Sequence, residues 1–203
     1  SVLTDTMHLN FDSTIDITQH VKDGHLQWEP PTAGDWQIIS IYSMPSGSHL
    51  LIAAVAEENY AVDPFDTDAI IRYYENWIGK HPELLAYAGG TLRALFSDSY
   101  EYFAQRLFSE DFIETFKANR GYDVTPYLPA VFQPARDQHF FFFTGLQTAP
   151  DFTYGELTQR IIHDYDLTVS DLFFKHWYPA SRQWIENKNL QFRQQGYNPP
   201  LDI

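Results

Sequence analysis

The stretch TLRALFSDSYE, residues 91–101, joins a short apolar run to an abrupt polar end. Two glycines at 89 and 90 precede the run, and carboxylates and hydroxyls from Ser97 to Glu101 follow it at once. An α/β barrel presents its chemistry where buried parallel strands end in polar side chains. The pattern therefore predicts a buried strand over 91–97, with Glu101 as a catalytic acid and Asp98 shaping its site.

Residues 60–97 have the pattern of one β-α-β unit. A short strand, Tyr60 to Val62, is predicted to end in the carboxylate of Asp63. Asp66 or Thr67 then caps a helix whose apolar residues recur at helical spacing. Such a crossover implies that the two flanking strands are parallel.

The second half of the chain alternates helix and strand again. A helix is predicted over 111–119, with Gly121 in the left-handed position after its end, and a long helix over 154–187, with Pro179 as a kink or boundary. Residues 189–195 then predict a third parallel strand, which ends at Gly196-Tyr197-Asn198. The apolar run HFFFF, 139–143, fits a strand or a helix equally.

Residues 1–58 form a small β-rich segment by pattern, and residues 59–203 form the β/α part. An Asp23-Gly24 pair predicts a turn, and WQIISIYSM, 36–44, is the strongest strand of the first part by β-propensity. The fold class is therefore α/β, with a small antiparallel unit ahead of parallel strands. Three parallel strands cannot close a barrel that needs eight, so the chain is either an open three-layer domain or part of something larger.

Composition excludes several classes of function. The formal net charge of −14 argues against binding to a phosphate backbone, which depends on clustered Lys and Arg. Without cysteine there is neither a thiol nucleophile nor a zinc-thiolate site. Neither a membrane-spanning apolar run nor a signal-peptide pattern is visible. The 16 Phe, 13 Tyr and 5 Trp fit a large aromatic core or flat platforms for sugar rings.

Three stretches, in this order, resemble bacterial α-L-rhamnosidases of glycoside hydrolase family 106. They are LFSDSYE (95–101), RGYDVTPYL (120–128) and the region from 165 to 203 with YDLTVSDLFFKHWY and LQFRQQGYNPPLDI. Residues 16–41 also resemble a β-rich insertion of those enzymes. The resemblance implies an internal segment of a (β/α)8 barrel, because members of the family are much longer than 203 residues.

The resemblance also implies a mechanism. The family's Ser-Asp-Ser-aromatic-Glu motif matches Ser97 to Glu101, so Glu101 inherits the role of general acid in an inverting reaction. The general base would lie outside this chain. A calcium ion near the sugar, a rhamnose-containing glycan as substrate, polysaccharide degradation and a periplasmic or secreted location are implied in the same way.

Further site residues are expected at the ends of the three strands. Asp63 is placed to hold a sugar hydroxyl or a cation. The end of the third strand is expected to line the subsite by hydrogen bonding through Arg193, Gln195, Tyr197 and Asn198.

Each of these residues also has a purely structural interpretation. Asp98 and Glu101 have the spacing of a capping box that only starts a helix. Asp63 fits a turn before Pro64, and Arg193 fits a structural ion pair. A cluster of acidic residues and a histidine on the long helix fits a solvated face better than a metal site: His163, Asp164, Asp166 and Asp171.

Two other functions stay open from the sequence. The chain can be a non-catalytic or degenerate carbohydrate-binding domain, because the second carboxylate is missing. It can also be an inert excerpt whose exposed edges are covered by the rest of a barrel or by self-association. Neither nucleic acid nor a membrane is expected as a partner.

Overall fold

A computed structural model describes residues 6–49, 60–98, 106–132 and 152–195 of the chain. Helices and strands are mixed along it, so the α/β class is confirmed. In chain order the elements are β1 (Met7–His8), β2 (Val21–Lys22), β3 (His25–Leu26), α1 (Thr67–Asn76), α2 (Pro82–Leu85), β4 (Ala94–Ser97), α3 (Phe112–Arg120), α4 (Leu128–Val131), β5 (Phe152–Thr153), α5 (Leu157–Lys175), α6 (Trp177–Glu186) and β6 (Gln191–Gln194).

The core lies between the helices and is rich in aromatic side chains. Helix α3 packs against α5, where the ring centroids of Phe112 and Tyr165 are 4.3 Å apart and both side chains are fully buried. Helix α1 packs against α6 through stacked rings of Tyr74 and Trp184, 5.2 Å apart. Large rings of this kind bury much apolar area for each residue, so in the described part of the chain aromatic side chains supply much of the core.

Helix boundaries follow the local signals in the sequence. Asp66 caps α1, accepting a hydrogen bond from the backbone N–H of Ala69 at 2.9 Å. Gly121 ends α3 in the left-handed conformation, with φ 82°. The predicted long helix is two helices that meet at His176, because Pro179 has no N–H and its ring would clash with the carbonyl four residues earlier. These boundaries confirm the predicted caps and the break near Pro179.

One predicted parallel pairing is present and another is not. β4 and β6 are parallel, with Ala94 opposite Gln191 and Ser97 opposite Gln194. The strand predicted over 60–62 is wrong, since among the residues that the structure describes Tyr60 makes only an isolated antiparallel bridge to His49. The chain then turns at Pro64, which cannot donate to a ladder.

The described residues 6–49 contain one hairpin and one strand that pairs elsewhere. β2 and β3 are antiparallel, joined by the predicted turn, in which Asp23 and Gly24 both have positive φ. β1 pairs in parallel with β5, a contact that the sequence did not predict. The strand predicted over 36–44 is wrong. Within the described residues its backbone pairs with no other strand, and Tyr42 and Met44 are 79% and 78% exposed, so their side chains have no surface to pack against.

The run HFFFF and the proposed helix start after Asp98 lie outside the described residues. No helix in the described part is long and apolar enough to cross a membrane.

Candidate functional site

The carboxyl ends of β4 and β6 form a common edge. Because the strands are parallel and in register, Ser97 lies beside Gln194, and the N–H of Gln195 donates to the carbonyl of Ser97 at 3.0 Å. Neighbouring strands stand about 4.8 Å apart, so the residues that follow, Asp98 and Gln195, are neighbours. This edge is the candidate site.

The two faces of the strand pair have different surroundings. Leu95 is buried, and Phe192 packs against the core beside Tyr178 of α6. On the opposite face Phe96 is 59% exposed, and Arg193, its partner in the ladder, is also exposed. Side chains alternate along a strand, so Arg193 and Gln195 share this open face with Phe96.

A single amide joins the two strand ends to helix α6. The indole N–H of Trp177 donates to Oε1 of Gln194 at 3.2 Å. The Nε2 of Gln194 then faces three carbonyls, those of Asp98 at 2.9 Å, Gln195 at 3.1 Å and Ser97 at 3.4 Å. Since the indole can only donate, it fixes which end of the amide is the oxygen.

Three of the predicted site residues therefore lie at one edge. Asp98 is exposed directly after β4, near Arg193 of β6 and Gln195, which follows β6. The predicted acid Glu101 and the predicted ligands Tyr197 and Asn198 lie outside the described residues.

Asp63 is not at the end of a strand of this sheet. Its Oδ1 accepts the backbone N–H of Phe65 at 2.9 Å, which is the turn geometry offered above as the structural interpretation. It lines a separate open cleft of about 1730 Å³ between the N-terminal segment and the helices. The same cleft is lined by Trp28 and Trp36, whose rings meet edge to face at 5.4 Å.

The acidic residues of α5 bind neighbouring helices and loops. Asp164 accepts the hydroxyl of Tyr122 at 2.9 Å, and burial together with this hydrogen bond raises the pKa of Tyr122 well above its usual value. Asp171 pairs with Arg120 of α3. His163, the other member of the cluster, is exposed.

Asp166 pairs with Arg106, whose side chain is only 4% exposed. In the part of the chain that is described, no three His, Asp or Glu side chains converge in a way that would hold a metal ion. These carboxylates serve the structure, and they provide no calcium site by themselves.

Gln194 was missed by sequence reasoning, although a signal was present. Phe192 and Gln194 are two residues apart on a strand and must point to the same side, and Phe192 is apolar. An amide at an inward position needs partners, and here it finds three carbonyls and an indole. Trp177 was equally missed, because its role depends on how α6 crosses the sheet.

Comparison with known proteins identifies the family. The family model of glycoside hydrolase 106, described as alpha-L-rhamnosidase, matches residues 2–197. The chain belongs to glycoside hydrolase family 106. The match extends over the strand pair, the helices around it and the N-terminal segment, so the resemblance inferred from the motifs is confirmed.

Two individual proteins are similar to this family member. A rhamnosidase from Novosphingobium sp. PP1Y has a related structure, with a TM-score of 0.59 and 25% identity over 92% of the chain. A protein of Formosa agariphila named "Putative beta-glucuronidase" is 28% identical over 190 residues, or 93% of the chain. The chain spans only 17% and 15% of the lengths of these two proteins.

Proposed function

We propose that this chain is a segment of an inverting glycoside hydrolase that cleaves α-L-rhamnosides. The observation that carries the proposal is the family match over 2–197. Hydrolysis of a glycosidic bond requires carboxylates beside that bond, and we propose that strand ends supply them. The common edge of β4 and β6, where Asp98, Arg193 and Gln195 are neighbours, is the geometry that supports it. The natural substrate would be a rhamnose-containing glycan, which the enzyme would cleave during polysaccharide degradation.

The proposed fold of the whole protein is a (β/α)8 barrel preceded by a small antiparallel unit over 1–58. The parallel pair β4–β6 has helix α6 on one face and an open face on the other. In a (β/α)8 barrel, the strands likewise have helices on their outer face and the barrel interior on the other. An isolated parallel pair is rarely stable with one face open, because parallel sheets are normally covered on both sides. The missing cover would be the other strands of the barrel, or self-association in their absence.

The proposed roles follow the chemistry of inversion. Glu101 protonates the leaving oxygen, and a general base outside this chain activates water on the other side of the sugar, about 6.5–9.5 Å away. Asp98, on the open edge, helps to shape the site of the acid. Arg193 and Gln195, beside it, hydrogen-bond to sugar hydroxyls, as Tyr197 and Asn198 are proposed to do from the residues that follow.

Calcium is proposed only because the resemblance to the family implies it. Calcium takes six to eight oxygen ligands, and the described residues bring together no group of three His, Asp or Glu side chains that could hold a metal ion. We propose that its carboxylate ligands come in part from outside the described residues. No step above depends on the ion.

The relative named "Putative beta-glucuronidase" motivates a second candidate substrate. A glucuronide carries a carboxylate that a rhamnoside lacks, and Arg193 is an exposed guanidinium at the edge, able to bind a carboxylate in a bidentate way. An Arg193→Gln variant separates the two substrates. It is expected to weaken binding of a glucuronide much more than binding of a rhamnoside.

The test is turnover of aryl α-L-rhamnoside and aryl β-D-glucuronide by a longer protein that contains this segment. The proposal expects rhamnoside hydrolysis, and a loss of more than about 100-fold in kcat on Glu101→Gln, because general acid catalysis contributes about 10²–10⁴-fold. Glu114→Gln, at an exposed position of α3, is the matched control and should leave turnover unchanged. Binding of rhamnose oligosaccharides in calorimetry without any turnover would instead support a non-catalytic carbohydrate-binding domain.

A further inference from the structure

The carboxyl end of β4 is held by one side chain from the neighbouring strand. Gln194 uses its amide hydrogens on the carbonyls of Asp98, 2.9 Å away, and Gln195, 3.1 Å away. Among the described residues, the last ladder bond runs from the N–H of Gln195 to the carbonyl of Ser97, and the amide of Gln194 adds its bonds to the ladder at this end. The backbone direction at Asp98 therefore depends on a side chain as well as on the sheet.

The orientation of this amide is fixed from the opposite side. Trp177 is 5% exposed and belongs to the first turn of α6, next to the break at His176. Its indole N–H donates to the oxygen of Gln194, so the nitrogen must face the strand ends. The side chain of Gln194 is half-buried. Removing an oriented amide with several partners is costly, because the carbonyls it leaves behind lose their donor.

We propose that Gln194, oriented by Trp177, is a positioning residue for the active edge. It fixes the backbone at Asp98 and so sets the direction in which the chain leaves β4 toward the proposed acid. It touches no substrate, and its effect on catalysis passes through Asp98 and the residues that follow. This inference rests on the proposed glycosidase function of that edge.

The first arm of the test measures by hydrogen exchange how firmly the end of β4 is held, and it needs no substrate. Gln194→Met keeps the length of the side chain but donates nothing. In the 203-residue chain, this variant is expected to accelerate hydrogen exchange at the amide of Gln195, which bonds Ser97, while core amides of α3 and α5 exchange as before. Gln183→Met, at an exposed position of α6, is the control and should change neither group. Unchanged exchange at Gln195, or a uniform rise across the core, would overturn the proposal.

The second arm measures catalysis in a longer protein that contains the segment. Displacement of reacting groups by about 1 Å can cost about 100-fold, so Gln194→Met should lower kcat by about tenfold to 100-fold with KM within about twofold. Trp177→Phe, which keeps the ring but loses the N–H, should lower kcat in the same direction by less. Equal kcat in the unmodified protein, Gln194→Met and Trp177→Phe would overturn the proposal.

A pH-dependent rescue separates positioning from general loss of stability. In Gln194→Glu the ionised carboxylate donates nothing, but the protonated form donates one hydrogen bond to a carbonyl. Its kcat relative to the unmodified protein should therefore rise as the pH falls, whereas Gln194→Met should show a constant ratio. A constant ratio for both variants would count against the proposal. If the unmodified protein hydrolyses no glycoside, the proposed function fails, and hydrogen exchange alone decides whether Gln194 fixes the strand end.

Discussion

Asp111 offers a stability test whose size and pH dependence follow from its contacts. Its Oδ2 lies 2.6 Å from Nζ of Lys175 and 3.5 Å from Nε2 of His176, and its Oδ1 accepts the hydroxyl of Ser109 at 2.7 Å. Burial alone would raise the pKa of Asp111. The hydrogen bonds from Lys175 and Ser109 and the charges of Lys175 and His176 outweigh burial and lower this pKa to about 2.

The size of the pKa shift of Asp111 sets the expected change in the free energy of unfolding. A fall from 3.8 to about 2 corresponds to roughly 2.4 kcal/mol at 1.36 kcal/mol per unit. The side chains of Asp111 and Lys175 are 37% and 53% exposed, so solvent screening reduces this to about 1 kcal/mol. Asp111→Asn is therefore expected to lower the free energy of unfolding by about 1 kcal/mol at pH 7.

The sign of the pH dependence follows from the lowered pKa. The carboxylate stabilises the fold above the unfolded pKa of about 4, and this contribution is lost as the pH falls from about 4 toward 2. Urea unfolding followed by tryptophan fluorescence, at pH 7 and in steps down to pH 3, measures the difference between the two proteins. Glu114→Gln removes the same charge from an exposed position of α3 and is the control. No difference at pH 7, or a difference that stays constant to pH 3, would refute the reasoning.

Substitutions at three other positions test the fold. Phe112→Ala should lower the free energy of unfolding by about 3–5 kcal/mol, since the ring is fully buried against Tyr165; a loss under 1 kcal/mol in urea would contradict this packing. Gly121→Ala should cost about 1 kcal/mol from its positive φ alone, because a Cβ there meets nothing within 4 Å, and an unchanged melting temperature would argue against that conformation. Asp66→Ala should cost about 1 kcal/mol and Asp66→Asn less, as measured by thermal unfolding; equal losses would show that capping is not the cause.

Signals within a few residues predicted much of the fold. Asp66 caps α1 and Gly121 ends α3 because a cap depends on one side chain or one φ angle, both visible in the sequence. The Asp23-Gly24 turn is equally local. That β4 and β6 are parallel was predicted although about 90 residues separate them: β4 from an apolar run that ends in polar residues, and β6 from the alternation of helix and strand.

Features that depend on distant partners were not predictable in the same way. Trp36 to Met44 has high β-propensity, but a strand also needs a neighbour for its backbone groups, and propensity does not supply one. Asp63 was predicted to end a strand, because local sequence does not distinguish a residue at a strand end from one in a turn before Pro64. The structure shows the turn. The role of Gln194 depends on the meeting of two strands and a helix, which is a property of the packing.

The most direct test of the central claim is the stereochemistry of rhamnoside hydrolysis. An aryl α-L-rhamnoside is given to the 203-residue chain and to a longer protein that contains it, and the first sugar released is observed by proton NMR before mutarotation. We predict β-L-rhamnose from the longer protein, none from the 203-residue chain, and release slower by more than about 100-fold from the longer protein with Glu101→Gln. Release of α-L-rhamnose, or full activity with Glu101→Gln, would contradict an inverting enzyme whose acid lies at the end of β4.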